Sequence, residues 1–284
     1  MKLFSIFLAL IISSSCWAET SLWRVSMNGK QLFLGGTVHL LSARDLPFPS
    51  EFDRAYQQSS KVVLETDMAA LADPNVQVQL MSQLSYSDGR LLNQIISPEL
   101  YADLNRYLQK RKMMPNMFIA MKPSGVMLTM LAVELQRLGI AEDGADTVYY
   151  QRAVLDGKAI SGLESIEEHL QFIIELGKGN EEQFLRQTLE DMKKTESAMK
   201  DIVHHWKTGD VKGLERDVIN DMRLNYPLTY QSLLVERNQH WLPQIKEMLT
   251  TEGVELVLVG VAHLIGPDGI LNALADQGYA IEQQ

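Results

Sequence analysis

The sequence predicts an α/β fold of mixed α+β type: a central mixed sheet built from strands near both chain ends, flanked by helices, with a large helical middle. Three observations point to it. Near the amino end, Leu22–Met27 and Lys30–Leu34 are alternating apolar runs on either side of Asn28-Gly29, the strongest short-range hairpin signal. Near the carboxyl end, Val254–Val261 and Tyr279–Ile281 are again strand-like. Between them the chain reads mostly as helix, with strand-like segments at Lys61–Asp67 and Lys158–Ser165. A sheet assembled from both ends implies a single domain, residues 19–284, with the helical middle as an insertion or cap.

The chain opens MKLFSIFLALIISSSCWAET. Lys2 supplies a short positive region, Leu3–Ile12 an apolar run, and Cys16-Trp17-Ala18 a small-residue cleavage site. This reads as a signal peptide over residues 1–18, cleaved after Ala18. The apolar run is too short for an ordinary transmembrane helix. Acylation of Cys16 is the rival reading, disfavoured because Ser13-Ser14-Ser15 stand where a lipoprotein signal wants leucine. The expectation is a soluble protein exported to the periplasm.

Cys16 is the single cysteine. The exported chain then has no disulfides and must bury a real core. Thiol nucleophiles and zinc–thiolate sites are excluded with it. The net charge of -10 argues against nucleic acid and anionic lipid as partners.

The elements follow in order. A two-residue turn at Asn28-Gly29 pairs Val25 with Leu32 and Trp23 with Leu34, so His39 lies just beyond the second strand. Pro49-Ser50 opens a helix, with Ser50 as N-cap and Asp53 in the capping-box position. The strand Lys61–Asp67 carries Glu65 at its end. Helices are expected over Ser97–Lys112, over Phe118–Leu138 (interrupted or entered at Pro123), and over Asp143–Leu155, where Gly144-Ala145-Asp146 form the start. The strand Lys158–Ser165 ends in Glu164. Leu185, Leu189, Met192, Met199, Val203 and Trp206 recur at helical spacing and predict one long amphipathic helix over Glu181–Trp206. A shorter helix is expected over Asp210–Asp221, one or two more over Pro227–Leu249, and another from Pro267-Asp268-Gly269 to Ala275.

Two stretches echo each other across the chain. Leu32-Phe33-Leu34-Gly35-Gly36-Thr37-Val38-His39 and Leu256-Val257-Leu258-Val259-Gly260-Val261-Ala262-His263 share the pattern strand-G-x-x-H. The carboxyl edge of an open α/β sheet is where ligands bind, and the chain holds only six histidines. Four expected strands end in His39, Glu65, Glu164 and His263. Side by side, they would bring two imidazoles and two carboxylates together, donors suited to Mn, Fe, Co or Zn. A bound ion would supply hydroxide near neutral pH, and a carboxylate off the metal would serve as general base. Arg237 by itself reads as a helix-surface ion pair. Asp146 is a weaker candidate. His204-His205 reads as a solvated or dipole-stabilised pair at a helix end, and His169 and His240 as ordinary helix residues. The methionines from Met113 to Met130 read as core packing, or as the lining of an apolar groove.

The paired Gly36-Thr37-Val38-His39-Leu40 and Gly260-Val261-Ala262-His263-Leu264 motifs resemble those of the TraB/GumN family, which includes the Tiki metal-dependent proteases. Glu65 after Val-Val-Leu, the Gly162-Leu163-Glu164-Ser165 block and Arg237-Asn238 extend the resemblance over nearly all of residues 19–284. It implies a fold akin to the erythromycin-esterase and ChaN-like group. It implies His39, His263 and Glu65 as metal residues, with Glu65, Glu164, Arg237 and Asn238 as catalytic or pocket residues. In that pocket role Arg237, beside Asn238, would clamp a carboxylate or stabilise an oxyanion. Glu65 is left open between ligand and base. The expected function is an exported metal-dependent hydrolase (Mn, Co or Zn) acting on a peptide or ester bond. The alternative is a non-catalytic protein that binds a peptide or small ligand in the same pocket.

Overall fold

The computed structural model describes residues 19–140 and 142–284; the signal-peptide reading of residues 1–18 falls outside them. Six strands form one mixed sheet: β1 (Leu22–Met27), β2 (Lys30–Thr37), β4 (Lys61–Leu64), β6 (Ala159–Gly162), β7 (Glu255–Gly260) and β8 (Ala280–Gln283), in the order β6-β4-β7-β2-β1-β8. β3 (Leu40–Leu41) and β5 (Glu142–Asp143) form a separate two-stranded ribbon. The sheet thus combines strands from both ends of the chain, as the sequence predicts.

The hairpin register is the one read from the turn, with Val25 opposite Leu32 and Trp23 opposite Leu34. Asn28 and Gly29 both take positive φ, 52° and 79°, which matches the twist of the flanking strands. β8 closes the edge by pairing antiparallel with β1. β2, β7, β4 and β6 are successive parallel neighbours, so their carboxyl ends line one edge. β7 lies in the middle of this parallel set, and Leu256, Val257, Leu258 and Val259 are buried. Burial on both faces is why it reads as a continuous apolar run rather than an alternating one.

The core has two main parts. One packs helices on the sheet and includes Phe52, Tyr56, Tyr149, Trp206 and Trp241. The other lies within the helical middle, around Leu100, Leu104, Phe118, Met130 and Leu185. This division corrects one expectation: the segment 181–206 is two helices, Glu181–Asp191 and Thr195–Thr208. Leu185, Leu189 and Met192 pack into the helical cluster, whereas Met199, Val203 and Trp206 pack on the sheet. A straight helix cannot aim one apolar stripe at both.

Other boundaries shift for local reasons. Ser50 is the first residue of helix Ser50–Gln58 rather than its cap, and Asp53 accepts hydrogen bonds from Tyr149 and Arg152 instead of closing a capping box. Asp143 belongs to the ribbon, and the helix begins at Ala145. The sequence carries no expectation for the helix Pro74–Gln83, whereas Ile166–Ile174 is the helix expected around His169, opened by the capping box of Ser165 and Glu168. Residues 227–248 run as one continuous helix containing a π-helical turn, Gln231–Glu236, immediately before Arg237. Such turns often accompany functional positions. Among the described residues no helix is long and apolar enough to cross a membrane.

The first glycine motif has a packing reason. A Cβ on Gly36 would lie 2.9 Å from Val261 Cβ and 3.1 Å from its Cα, where the turn after β7 crosses β2. Trp206 locks the same spot by donating its indole N–H to Gly36 O at 2.6 Å. Gly36→Ala is therefore expected to overpack this crossing and cost about 1–3 kcal/mol, read by urea denaturation. An unchanged midpoint would show that the crossing has slack.

Candidate functional site

The carboxyl ends of the four parallel strands place His39, His263, Glu65 and Glu164 in that order along the edge. β2 leaves Thr37 and reaches His39 two residues later. β7 turns at Gly260 into a single helical turn, Val261–Leu264, which carries His263. Glu65 follows β4 directly, and Glu164 follows β6, its backbone N–H donating to Glu65 O at 3.0 Å. The second glycine motif makes room for the cluster. A Cβ on Gly260 would meet Glu65 Oε1 at 3.3 Å, His263 Cδ2 at 3.7 Å and His39 Nε2 at 3.8 Å, so the three side chains converge above its Cα.

Arg237 ties the cluster together from the helix behind. Its side chain is 4 % exposed. Nη2 donates to Glu65 Oε2 at 2.6 Å and to Glu164 Oε1 at 2.7 Å, and Nε donates to Glu164 Oε2 at 3.1 Å. Nη1 lies 3.1 Å from His263 Nε2. The guanidinium stacks 4.6 Å from the Trp241 ring centroid, and Trp241 in turn packs 4.5 Å from the His263 ring. Trp241 also donates its indole N–H to Glu164 Oε2 at 3.2 Å.

The hydrogen bonds fix which nitrogen of each histidine is free. The Asn238 amide donates to the carbonyls of His263 and Asp268, at 3.1 and 2.9 Å. Its Oδ1 therefore faces His263 Nδ1, 2.7 Å away, and Nδ1 must be the donor. His263 Nε2 is then the acceptor for Arg237 Nη1 and lies 4.0 Å from Glu65 Oε1. His39 is held similarly: Nδ1 is 2.6 Å from Asp146 Oδ2, leaving Nε2 toward the cluster. Asp146 sits in the first turn of helix Ala145–Asp156, and Gly144 N–H donates to His39 O at 3.0 Å.

The electrostatics follow from this wiring. Burial works against the charge of Glu65, but the charges of Arg237 and His39 and the Gly260 N–H (2.7 Å from Oε1) outweigh it and hold the carboxyl well below the usual range. Burial likewise opposes the charge of Glu164, and hydrogen bonds from His169 and Arg237 bring its pKa down. His263 moves the other way for an imidazole: burial depresses it to about 3, with Arg237 adding and Glu65 opposing. It is neutral at physiological pH. Around His39, neighbouring protein disfavours the imidazolium, but the hydrogen bond and charge of Asp146, with Glu65, overcome this and raise it to about 9. The His39 side chain is nevertheless 63 % exposed, so water at the mouth of the cluster screens this pair.

The structure thus gathers His39, Glu65, Glu164, Arg237 and His263 at one edge and puts Asn238 behind His263. It also adds residues that the sequence reading passed over. His169, read as an ordinary helix residue, places Nδ1 2.7 Å from Glu164 Oε1. Its position one turn beyond the N-cap Ser165, directly after Glu164-Ser165 open the helix, was the signal that could have found it. Trp241 lies one helical turn beyond Arg237, on the same face. His240 is exposed, in keeping with its reading, whereas His205 is bracketed by Asp210 and Asp217 rather than solvated.

As a cation site the edge offers two sets of donors. Among the described residues, Glu65, Glu164 and His169 are the group whose donor atoms all lie within 4.8 Å of one another, and Arg237 fills it. His39, Glu65 and His263 form a looser set, with both imidazoles anchored through Nδ1. Anchoring of the far nitrogen is the usual arrangement around metal-binding histidines.

Two outcomes follow. Arg237→Ala leaves two buried carboxylates without their partner and is expected to cost about 3–5 kcal/mol in urea denaturation; a loss under about 1 kcal/mol would show that water replaces the guanidinium. The second concerns pH. The folded pKa of His263, about 3, lies below its ordinary value of 6.5, so the unfolded chain takes up a proton that the folded protein refuses. That contribution to stability is intact above the ordinary value and is lost as pH falls toward the folded one, at up to roughly 1.4 kcal/mol per unit. His263→Asn should flatten the slope of stability between about pH 6.5 and 5; an identical slope would assign the acid sensitivity to other groups.

Comparison with known proteins agrees with the motif reading. The model of the TraB/PrgY/gumN family matches residues 21–283, nearly the whole chain. No curated protein and no solved structure is significantly similar, so the erythromycin-esterase and ChaN-like likeness rests on the sequence resemblance alone. The match and the paired strand-G-x-x-H edge lead to one conclusion: the chain belongs to the TraB/PrgY/gumN family.

Proposed function

We propose that this protein is a metal-dependent hydrolase of peptide or ester bonds, exported to the periplasm and acting as a single domain over residues 19–284. One observation carries the reading. Two histidines from matched motifs have their Nδ1 atoms anchored by Asp146 and Asn238; His39 Nε2 lies over Gly260 beside Glu65 Oε1, and His263 Nε2, in contact with Arg237 Nη1, is 4.0 Å from that oxygen. Two imidazoles and one glutamate are the donor set of catalytic zinc centres, with a position left open for water; Mn and Co suit the same donors.

His39 Nε2, Glu65 Oε1 and His263 Nε2 would hold the ion. The fit requires one local change, in which Arg237 Nη1 gives up its contact with His263 Nε2 while Nη2 and Nε keep both glutamates. When bound, the ion would lower the pKa of its water and polarise the scissile carbonyl. The protein residues supply the rest. Asp146 and Asn238 anchor the Nδ1 atoms and so orient each Nε2 toward Glu65; His39 would give up a proton when the ion binds. Arg237 cancels much of the charge of Glu65 and Glu164, so the carboxylates stay ionised while buried. In this reading Glu65, whose two oxygens accept hydrogen bonds from Arg237 and Gly260, serves as ligand rather than base. His169, with Nδ1 on Glu164 and its ring 16 % exposed, has Nε2 free to carry a proton between water and the leaving group. Gly260 keeps the space above the edge clear.

The test is metal analysis of protein purified without a histidine tag, then add-back of Mn, Co and Zn with a peptide library. Chelator-sensitive cleavage is the expected result. Binding of peptides without turnover would favour the binding-protein alternative instead. The metal-dependent rise in Tm, corresponding to about 2.7 kcal/mol at a hundredfold excess over Kd, should vanish in His39→Ala, His263→Ala and Glu65→Gln. His240→Ala should keep it. A full shift in both histidine variants would overturn the shared site.

A further inference from the structure

Directly after His39 the chain enters β3, and Leu41 from that strand helps to wall a cavity of about 260 Å³. Leu138, Ile140, Met199 and Val203 supply the rest of an apolar lining. The cavity shares no lining residue with the His39–Glu65–His263 cluster. Its volume falls below the roughly 300–1,000 Å³ of sites for drug-sized ligands, which points to a smaller occupant.

The rim is charged, and its charges are unevenly satisfied. Arg44, Lys200 and Lys207 face Asp45 and Glu196 around the opening. Lys200 pairs with Glu196 at 2.8 Å. Arg44 donates through Nε to the Ser42 hydroxyl at 3.2 Å, and Lys207 donates to the backbone carbonyl of Asp45 at 2.7 Å. Both acceptors are neutral. The Asp45 carboxylate turns away to the N–H and hydroxyl of Ser42. Among the described residues, no carboxylate is hydrogen-bonded to Arg44 or Lys207 at the mouth, although Glu196 lies near enough to feel the charge of Arg44, in a chain whose net charge is -10.

We propose that this cavity is a second binding site, for a small carboxylate that carries an apolar tail. The head would lie between the Arg44 fork and the Lys207 ammonium, geometry that Arg in particular offers a carboxylate. The tail would lie along Leu41, Ile140 and Met199, each buried methylene adding roughly fourfold to affinity. The cavity wall is also the ribbon: β3 follows His39, and β5 leads into Asp146. The binding does not depend on the proposed hydrolase reading.

Calorimetric titration of the purified protein with octanoate, acetate and octan-1-ol tests the site. Octanoate is expected to bind saturably at one site, with acetate and octan-1-ol at least tenfold weaker. Arg44→Gln and Lys207→Gln should each weaken octanoate at least fivefold; Lys207→Gln removes the charge while keeping a side-chain N–H donor. Met199→Trp should fill the cavity and abolish binding, and should that variant fail to fold, the two glutamine variants decide. His39→Ala should bind octanoate as the wild type does, which separates this site from the candidate centre. Absent saturable binding, equal affinity for octan-1-ol, indifference to both glutamine variants, full binding by a folded Met199→Trp, or loss in His39→Ala would each overturn the proposal.

Discussion

The buried ion pairing of Arg237 is the constraint on which the rest of this edge depends. Two glutamates taken out of water carry a large desolvation penalty, and attraction offsets it only with good geometry and further hydrogen bonds. Both conditions are met. Arg237 meets Glu164 with two nitrogens and Glu65 with one, while Gly260 N–H and the Trp241 indole satisfy remaining carboxylate oxygens. The same guanidinium bridges the ends of β4 and β6 to the helix behind them. Removing it would leave the two strand ends repelling each other where the chain needs them adjacent.

The backbone around the cluster is shaped to let this happen. Gly36 allows the turn after β7 to lie against β2, and Gly260 keeps the space above the edge free. The two glycines of the repeated motif thus solve different problems, one of packing and one of access. The imidazoles then divide the electrostatic labour. His263, buried beside Arg237 and Trp241, is neutral; His39, exposed and bonded to Asp146, favours the proton. A cation entering here would compete with a proton at His39 and with a guanidinium hydrogen bond at His263.

Much of this architecture was legible in the sequence wherever the signal is local. The Asn28-Gly29 turn fixes the hairpin register, because two positive-φ residues permit only one pairing. Apolar runs ending in His39, Glu65, Glu164 and His263 identify strand ends without any knowledge of sheet order. The order itself, β6-β4-β7-β2-β1-β8, depends on contacts between distant segments that no local pattern encodes. The break at Met192–Lys194 was hidden for a related reason: the apolar spacing continues through it, while the packing partner changes from the helical cluster to the sheet. Asp146 was visible only as a residue near a helix start, since its contact with His39 spans 107 positions. His169 and Trp241 look like ordinary amphipathic positions, and their meaning appears only once Glu164 and Arg237 lie beside them.

The central claim is that the matched histidines, rather than the arginine-filled group of Glu65, Glu164 and His169, constitute the cation site. X-ray absorption spectroscopy of the cobalt-loaded protein tests it most directly. The expected spectrum shows two imidazole nitrogens and one carboxylate among the ligands, with one imidazole lost in His39→Ala. A centre with a single imidazole that is unaffected by His39→Ala and lost in His169→Ala, or a protein that takes up no cobalt, would contradict the account.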